Sequence, residues 1–154
     1  MKRKVFKYIL IYLFFLINLI NINNSYNKCD SYLIIDKIKL NSCVKKSNKD
    51  FSNLNYSLVY YKNINTKNKI IIFGHSMMNK GKYFNKIDEL RKNDIVYLKI
   101  KNNTYKYEVN NIYTVDKKDV YILKNEYKSG KLLLVTCDKN DKNKRLIVQL
   151  FIKM

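Results

Sequence analysis

The chain lacks proline and tryptophan, and its 154 residues include only three glycines, three cysteines and one histidine. Three cysteines without a C-x-x-C pair exclude a disulfide-dense scaffold and give no indication of a zinc site. Acidic residues are also scarce, since 12 Asp and Glu face 31 Lys and Arg, for a formal net charge of +19. Hydrophobic residues make up 47% of the chain. That fraction supports one folded domain and excludes wholesale disorder.

The positive charge comes almost entirely from lysine, because the only arginines are Arg3, Arg91 and Arg145. Lysine, asparagine, isoleucine and tyrosine are abundant together, which is the composition that a very AT-rich coding sequence produces. Strongly basic chains often bind anionic polymers. Here the composition explains the charge without such a partner, and we expect no binding to nucleic acid.

The N-terminus combines a basic start at positions 2–4 with an apolar stretch. Residues 5–22 form a run of 18 residues, just long enough to span a bilayer if Lys7 snorkels to the surface. No pattern of small residues for signal cleavage follows this run. We therefore expect an uncleaved, single-pass transmembrane anchor over residues 1–24, with a cytoplasmic N-terminus and an extracellular domain over residues 25–154.

Beyond the anchor, the sequence predicts a mainly β fold. Short apolar runs recur at residues 32–35, 56–61, 70–73, 95–100, 105–115, 120–123, 132–137 and 145–152. Polar clusters of Asn, Lys and Asp separate them as turn signals, which favours a β-barrel or a sandwich. One segment differs. Between Lys82 and Lys92, the apolar residues Phe84, Ile87 and Leu90 recur at threefold spacing, which predicts a short amphipathic helix.

Three residues stand out at the ends of predicted strands. His75 follows the apolar run Ile70–Gly74, and Cys137 ends the apolar strand that begins at Leu132. Arg145 opens the next strand, across a polar loop at residues 138–144. If this loop closes a hairpin, Cys137 and Arg145 lie at the same end of the strand pair.

These three side chains could perform acyl transfer. A thiol is a strong nucleophile only as the thiolate, and a neighbouring imidazolium stabilises that form. Arg145 could supply donors to the oxyanion of a tetrahedral intermediate. Taken singly, a lone histidine, a cysteine at a strand end and an arginine beside a polar loop are more often structural or solvated. On spacing alone, the catalytic and structural interpretations are evenly balanced.

The same residues resemble the motifs of the sortases, the membrane-anchored cysteine transpeptidases of Gram-positive bacteria. Leu133–Cys137 reads L-L-V-T-C, where the family has T-L-x-T-C, and Arg145 follows as the family's arginine does. Ile71–Met78 is similar to the G-H motif at a strand end, and Asn93–Val96 is similar to the G-D-x-I strand. Ile35–Ile38 matches the early I-P-x-I segment with Asp where Pro is usual. The resemblance covers roughly residues 31 to 152 and the anchor.

This resemblance implies a sortase-like closed β-barrel of seven or eight strands with one or two short helices. It also implies a transpeptidase that cleaves a C-terminal sorting motif of the LPxTG or NPxTN kind in exported proteins. Cys137 would form the thioester, and an amine of a peptidoglycan precursor or a pilin would resolve it. His75 would act as general acid and then base, and Arg145 would hold the substrate and the oxyanion. Leu134 and Thr136 would shape the substrate pocket. No metal or organic cofactor is implied.

Several questions stay open at the level of sequence. The G-H-x-M wording resembles class B sortases, yet only about twenty residues separate Val115 from Val135, where class B members carry a long helical insertion. The class therefore stays open. Cys29 and Cys43 could pair or stay reduced.

An alternative to catalysis is a membrane-tethered basic module that binds anionic cell-wall polymers. It draws support from the charge of the exported part, where 27 basic residues face 12 acidic ones, for a net +15. A sortase fold without activity is a further alternative.

Overall fold

The computed structural model describes residues 8–9, 11–14, 16, 29, 31–47, 51–55, 57–62, 69–76, 83–119 and 131–153. Most of the predicted anchor, residues 1–24, lies outside these ranges. Where it is described, at residues 8–9, 11–14 and 16, the chain is helical. Within the described ranges, no helix has both the length and the apolar character needed to cross a bilayer.

Eight strands form a closed barrel in the order β1-β2-β3-β4-β7-β8-β6-β5. They are β1 Ser31–Ile35, β2 Leu40–Lys46, β3 Leu58–Lys62, β4 Ile70–Phe73, β5 Ile95–Ile100, β6 Asn103–Asp116, β7 Lys131–Cys137 and β8 Lys144–Ile152. Short 3₁₀ helices occupy Asp36–Ile38, Ser52–Asn55 and Ile87–Glu89. The predicted mainly β fold and closed barrel with few helices are therefore confirmed.

Seven of the eight apolar runs identified in the sequence coincide with observed strands. The eighth, residues 120–123, lies outside the described residues. The sequence analysis missed β2, Leu40–Lys46, which pairs with β1 in antiparallel and with β3 in parallel orientation.

The parallel pairing of β4 with β7 sets the position of the candidate site. Ile70 lies beside Leu132, and Phe73 lies beside Val135 at the other end of the pair. Because the two strands run in the same direction, their carboxyl ends meet at one edge of the barrel. The residues that directly follow β4 are therefore brought next to the end of β7.

Strand β7 is buried on both faces. Leu132 and Leu134 belong to the main interior cluster, whereas Leu133 and Val135 belong to a second, smaller apolar cluster. Successive side chains of a strand point to opposite faces, so this second cluster lies on the outer surface of the barrel. Burial on both faces explains why β7 has a continuous apolar sequence instead of an alternating one.

In its described part, residues 83–92, the segment predicted as a short amphipathic helix contains one 3₁₀ turn, Ile87–Glu89, and no α-helix. Phe84, Ile87 and Leu90 are each at most 1% exposed and belong to the interior cluster. Their threefold spacing matches the three residues per turn of a 3₁₀ helix. The segment thus buries three apolar side chains in the interior, one within the turn and one on either side of it.

The three cysteines separate into one pair and one free thiol. Cys29 and Cys43 form a disulfide, with their Cα atoms 5.9 Å apart. This bond ties the chain just before β1 to strand β2 and settles the alternative left open by the sequence. Cys137 is the free cysteine, so the chain has a single free thiol.

Candidate active site

Cys137 and Arg145 lie opposite each other at the open end of the β7–β8 hairpin. They are direct Cα partners in the antiparallel ladder, so their side chains project from the same face of the sheet. The Asp138 N–H donates to the Lys144 carbonyl oxygen at 3.1 Å and continues the ladder by one step. The hairpin predicted from the polar loop at residues 138–144 is therefore present.

The hairpin loop is held by its own aspartates. Asp138 Oδ1 accepts from the backbone N–H of Asn140 at 2.8 Å and of Asp141 at 2.9 Å. Asp141 Oδ1 in turn accepts from the Asn143 N–H at 2.8 Å. Such Asx turns let a short side chain satisfy backbone donors in a tight bend. They fix the connection between the two strands that carry the thiol and the guanidinium.

The guanidinium of Arg145 is anchored to this loop. Its Nη1 donates to the Lys142 carbonyl oxygen at 3.2 Å and to the Lys144 carbonyl oxygen at 2.9 Å. The side chain is partly buried and lines the same cavity as Cys137. The two backbone bonds restrict where the planar fork can lie relative to the thiol.

His75 reaches the site from β4. The strand ends at Phe73, and the Gly74 N–H still donates to the Val135 carbonyl oxygen at 3.2 Å. Extending the parallel register of Phe73 beside Val135 by two residues places His75 beside Cys137. Both residues are partly buried and line one cavity. The structure thus brings together the imidazole, the thiol and the guanidinium that the sequence singled out.

Gly74, the first residue after β4, lies where a side chain would not fit. A Cβ atom at this position would lie 2.5 Å from Leu58 Cδ2 and 2.6 Å from Phe84 Cδ2. Non-bonded carbons pack at about 3.5–4.0 Å, so a methyl group here would overlap both side chains. The backbone immediately before His75 therefore rests directly on two buried apolar side chains.

Two hydroxyl groups cross-link the end of β4 to the end of β7. Thr136 Oγ1 donates to the Gly74 carbonyl oxygen at 2.7 Å. Ser76 Oγ donates to the Cys137 carbonyl oxygen at 2.6 Å. The Phe84 N–H also donates to the His75 carbonyl oxygen at 3.0 Å. The backbone of residues 74–76 is therefore held from both sides by hydrogen bonds.

The cavity beside the three polar residues has a volume of about 390 Å³. Its apolar lining comes from Leu54, Phe73, Val115, Val135 and Ile147. A mostly apolar cavity with a few convergent polar groups is typical of a ligand site, and this volume falls in the usual range. Its floor is part of the outer apolar cluster, to which Val135, Ile147, Phe73 and Val115 belong.

The two residues predicted to shape the substrate pocket occupy different places. Thr136 lines the cavity, although its hydroxyl is engaged with the Gly74 carbonyl. Leu134 is 1% exposed, belongs to the interior cluster and is not among the residues that line the cavity. The alternation of β7 turns Leu134 inward and presents its neighbour Val135 to the cavity. The position of Leu134 therefore gives no support to a role in binding substrate.

The crossover between β2 and β3 contributes a wall that the sequence analysis did not identify. Leu54 lines the cavity, and the ring of Phe51 packs edge-on against that of Phe73 with the centroids 5.6 Å apart. Edge-to-face aromatic pairs add stability beyond the area that they bury. Nothing local in the sequence marks this segment, because its contact with β4 depends on the path of the crossover.

The end of β6 forms the opposite rim. Asp116, Lys117 and Asp119 line the cavity there. The Lys117 N–H donates to the Asn143 carbonyl oxygen at 2.7 Å, and its Nζ donates to Asn143 Oδ1 at 2.6 Å. These bonds join the rim to the hairpin loop. In the part of the chain that the structure describes, no group of three His, Cys, Asp or Glu side chains could hold a metal ion.

Comparison with protein families identifies this arrangement. The family model of the Sortase domain matches residues 33–150, which includes β4, β7 and most of β8. The chain belongs to the sortase family. Sortase A of Listeria monocytogenes serovar 1/2a is 35% identical to it over 66 residues, which cover 43% of this chain and 29% of that protein.

Solved sortase structures share the fold. Sortase A from Corynebacterium diphtheriae matches with a TM-score of 0.72 at 21% identity, over 82% of this chain and 61% of that one. Sortase A of Listeria monocytogenes matches with a TM-score of 0.70 at 23% identity, over 82% of this chain and 88% of that one. Sortase C1 from Streptococcus agalactiae matches with a TM-score of 0.70 at 24% identity, over 80% of this chain and 67% of that one. Since class A and class C names both occur among these matches, the class of this sortase stays open.

The segment Asn93–Val96, which resembles the G-D-x-I motif, has a defined local structure. Asn93, which stands where the family has glycine, adopts the left-handed conformation with φ of 73°. Asparagine tolerates that conformation better than other residues with a side chain. The following residue, Asp94, accepts hydrogen bonds on Oδ2 from Lys37 Nζ at 2.8 Å and from the Arg91 N–H at 2.6 Å.

Proposed function

We propose that this chain is a sortase-type cysteine transpeptidase. In this proposal it cleaves a C-terminal sorting motif of an exported protein and transfers the acyl part to an amine of the cell wall or of a pilin. The observation that carries the proposal is the convergence of His75, Cys137 and Arg145 on one cavity. Support also comes from the pairing of the other two cysteines, which leaves Cys137 as the free thiol.

The first half of the proposed reaction forms a thioester. His75 takes the proton of the Cys137 thiol, and the sulfur attacks the carbonyl carbon of the scissile peptide bond. The negative charge that develops on the carbonyl oxygen is stabilised by donors of the Arg145 guanidinium. His75 then gives its proton to the departing amine, the C–N bond breaks, and the acyl group remains on the sulfur.

The second half reverses these roles with a new amine. The incoming amine attacks the thioester carbonyl while His75 accepts its proton. The tetrahedral intermediate then collapses, the C–S bond breaks, and the proton returns to the sulfur as the new amide is released. Attack by water in place of the amine would give hydrolysis. The apolar walls of the cavity favour substrates with aliphatic side chains next to the scissile bond.

The proposed location is the cell membrane, with the barrel outside and the N-terminus inside. The basic start and the apolar stretch within residues 1–24 support this topology. The disulfide between Cys29 and Cys43 supports exposure of the barrel to an oxidising compartment, because such bonds are rare in reducing ones. Protease treatment of intact protoplasts should remove the barrel, and full protection would contradict the topology.

The catalytic proposal is tested with the full-length chain in detergent micelles. A quenched fluorescent peptide library carrying LPxTG-like and NPxTN-like motifs is offered with and without an amine acceptor. Without the amine, intact mass and peptide mapping should place an acyl adduct on Cys137, and Cys137→Ala should abolish turnover. An adduct on another residue, or turnover that survives in Cys137→Ala, would contradict the assignment.

The polymer-binding alternative predicts a different result in the same preparation. A basic module that binds anionic wall polymers would still bind them in Cys137→Ala, because this variant keeps all of the lysines and arginines. Binding of purified teichoic acid by both proteins, combined with no turnover of any peptide by the wild type, would favour the module.

A further inference from the structure

We infer that Ser76 is a positioning residue of the candidate site: its hydroxyl holds the backbone of Cys137 in register with the backbone of His75. This inference deepens the proposed function and rests on it for its kinetic part. The family motifs specify His75 and Cys137, whereas Ser76 falls on the variable position of G-H-x-M.

The first observation is the bond itself. Ser76 is 5% exposed, and its Oγ donates to the Cys137 carbonyl oxygen at 2.6 Å across a separation of 61 residues. That distance is short for a hydroxyl donor, and burial makes the hydrogen bond costly to leave unmade. The side chain therefore has one defined orientation, directed at the residue that carries the thiol.

The second observation is where the bond lies in the sheet. The β4–β7 ladder ends with Phe73 beside Val135, and the last backbone bond along it is from the Gly74 N–H to the Val135 oxygen. Past that point His75 and Ser76 are outside strand β4. Beyond the last backbone bond, the Ser76 hydroxyl links the segment after β4 to the end of β7, at the level of His75 and Cys137.

The third observation concerns the peptide group that follows Cys137. Its carbonyl oxygen accepts from Ser76, and its N–H, which belongs to Asp138, donates to the Lys144 oxygen at 3.1 Å. The plane of this peptide is therefore fixed from both sides. Because it sets the backbone angle at Cys137, it also sets the direction in which the Cα–Cβ bond carries the sulfur.

The Ser76 bond joins this fixed plane to the histidine. Ser76 is covalently next to His75, and the His75 carbonyl oxygen is itself held by the Phe84 N–H at 3.0 Å. Loss of the hydroxyl would leave only the two bonds at Gly74, to Val135 and from Thr136, and neither reaches the level of the thiol and the imidazole. Misplacement of reacting groups by about 1 Å can lower a rate by about 10²-fold.

The experiment compares Ser76→Ala, Ser76→Thr and Ser42→Ala in the full-length chain. Ser42 is a matched control, because it is also buried and donates to the carbonyl oxygen of a cysteine, Cys43, in strand β2. In the peptide assay, Ser76→Ala should lower kcat by up to about 10²-fold and should change KM little. Ser76→Thr, which keeps the hydroxyl, should restore most of kcat, and Ser42→Ala should leave it unchanged.

Two further readouts do not depend on turnover. His75 is the only histidine and Cys137 the only free thiol, so imidazole NMR signals and alkylation rates report these two groups alone. Ser76→Ala should displace both the NMR titration curve of His75 and the pH profile of Cys137 alkylation. Ser42→Ala should displace neither. Should Ser76→Ala fail to fold, Ser76→Cys, which is close to serine in volume and has only a weak S–H donor, takes its place with the His75 NMR signals as its readout.

The outcomes separate this inference from the proposed function. If the wild type turns over peptide and Ser76→Ala matches it in kcat, titration curve and alkylation profile, Ser76 is only structural and the inference is overturned. If the wild type turns over no peptide, the proposed function fails, and the His75 and Cys137 readouts still decide whether Ser76 couples the two groups.

Discussion

Cys137 and Arg145 face each other as direct Cα partners across the β7–β8 hairpin. The loop between them is fixed by Asx turns at Asp138 and Asp141. The Arg145 guanidinium donates hydrogen bonds to the Lys142 and Lys144 carbonyl oxygens of the same loop. The position of the arginine relative to the thiol is thus set by one local hairpin, through its strand register and its loop.

Replacing Arg145 by Lys is expected to lower turnover by about 10²–10³-fold, the typical loss when one oxyanion donor is removed. Lysine keeps the charge but lacks the planar fork that can hold loop carbonyls and reach the substrate together. Arg91→Lys is the matched control, because Arg91 Nη1 also donates to two carbonyl oxygens, those of Asp88 and Leu90. Wild-type turnover in Arg145→Lys would show that the fork is not used in catalysis.

Gly74→Ala is expected to lower both stability and turnover. The new methyl group would overlap Leu58 and Phe84, and overpacking of this kind typically costs about 1–3 kcal/mol. The strain falls on the backbone that carries His75. Urea midpoints and kcat measure the two effects. Adding Phe84→Leu should recover part of both losses, and a double variant no better than Gly74→Ala would contradict the steric explanation.

Reduction of the Cys29–Cys43 bond should lower the free energy of unfolding by about 3 kcal/mol, the value expected for a closed loop of this length. The cysteines are separated by 14 residues, and the bond ties the start of β1 to β2. A Cys29→Ser, Cys43→Ser double variant should reproduce the loss and become insensitive to reductant. Since neither cysteine lines the cavity, turnover at low temperature should be retained, and a parallel loss of turnover would contradict this assignment.

Asn93→Gly is expected to be neutral or to stabilise the barrel by up to about 1 kcal/mol. The left-handed φ of 73° at this position costs a residue with a Cβ, whereas glycine adopts it freely. Asn93→Val should be destabilising by about 1–3 kcal/mol, because a β-branched residue is poorly tolerated there. Thermal unfolding measures both. Asn41→Gly, in the extended strand β2, is the control and should destabilise instead.

The ends of several strands could be predicted from the sequence because polar loops interrupt the apolar runs sharply. The hairpin between Cys137 and Arg145 follows from its polar loop, and the position of His75 follows from the apolar run that ends at Gly74. Strand β2 was missed for the converse reason. Its buried positions are Leu40, Ser42 and Val44, and a small hydroxyl residue among them breaks the apolar pattern.

The orientation of β7 could not be read from its sequence. Both faces of the strand are buried, so Leu134 and Val135 look alike although only Val135 lines the cavity. The hydrogen bonds of the Ser76 and Thr136 hydroxyls could not be predicted from the sequence either. They join residues 61 and 62 positions apart, and they exist only because the parallel register of β4 and β7 places those residues side by side.

Acid should expose the contribution of the ion pair between Lys37 and Asp94, whose atoms lie 2.8 Å apart. Burial, the largest single influence, acts to raise the pKa of Asp94, but hydrogen bonds from Lys37 and the Arg91 N–H, with the charges of both residues, outweigh it. The pKa is therefore lowered from its ordinary 3.8. A carboxyl whose pKa is lower in the folded state stabilises the fold above the ordinary value and loses that contribution as pH falls through the folded pKa.

The unfolding free energy of the wild type should accordingly fall more steeply below a pH of about 3.8 than that of Asp94→Asn. The Asn variant should be less stable near neutral pH, and its deficit should shrink as the wild-type carboxylate is protonated. Urea titrations at several pH values between about 2 and 6 measure both trends. Lys37→Met removes the partner and should flatten the acid limb in the same way. A constant difference between wild type and Asp94→Asn across this range would show that Asp94 is not the group that links this ion pair to acid stability.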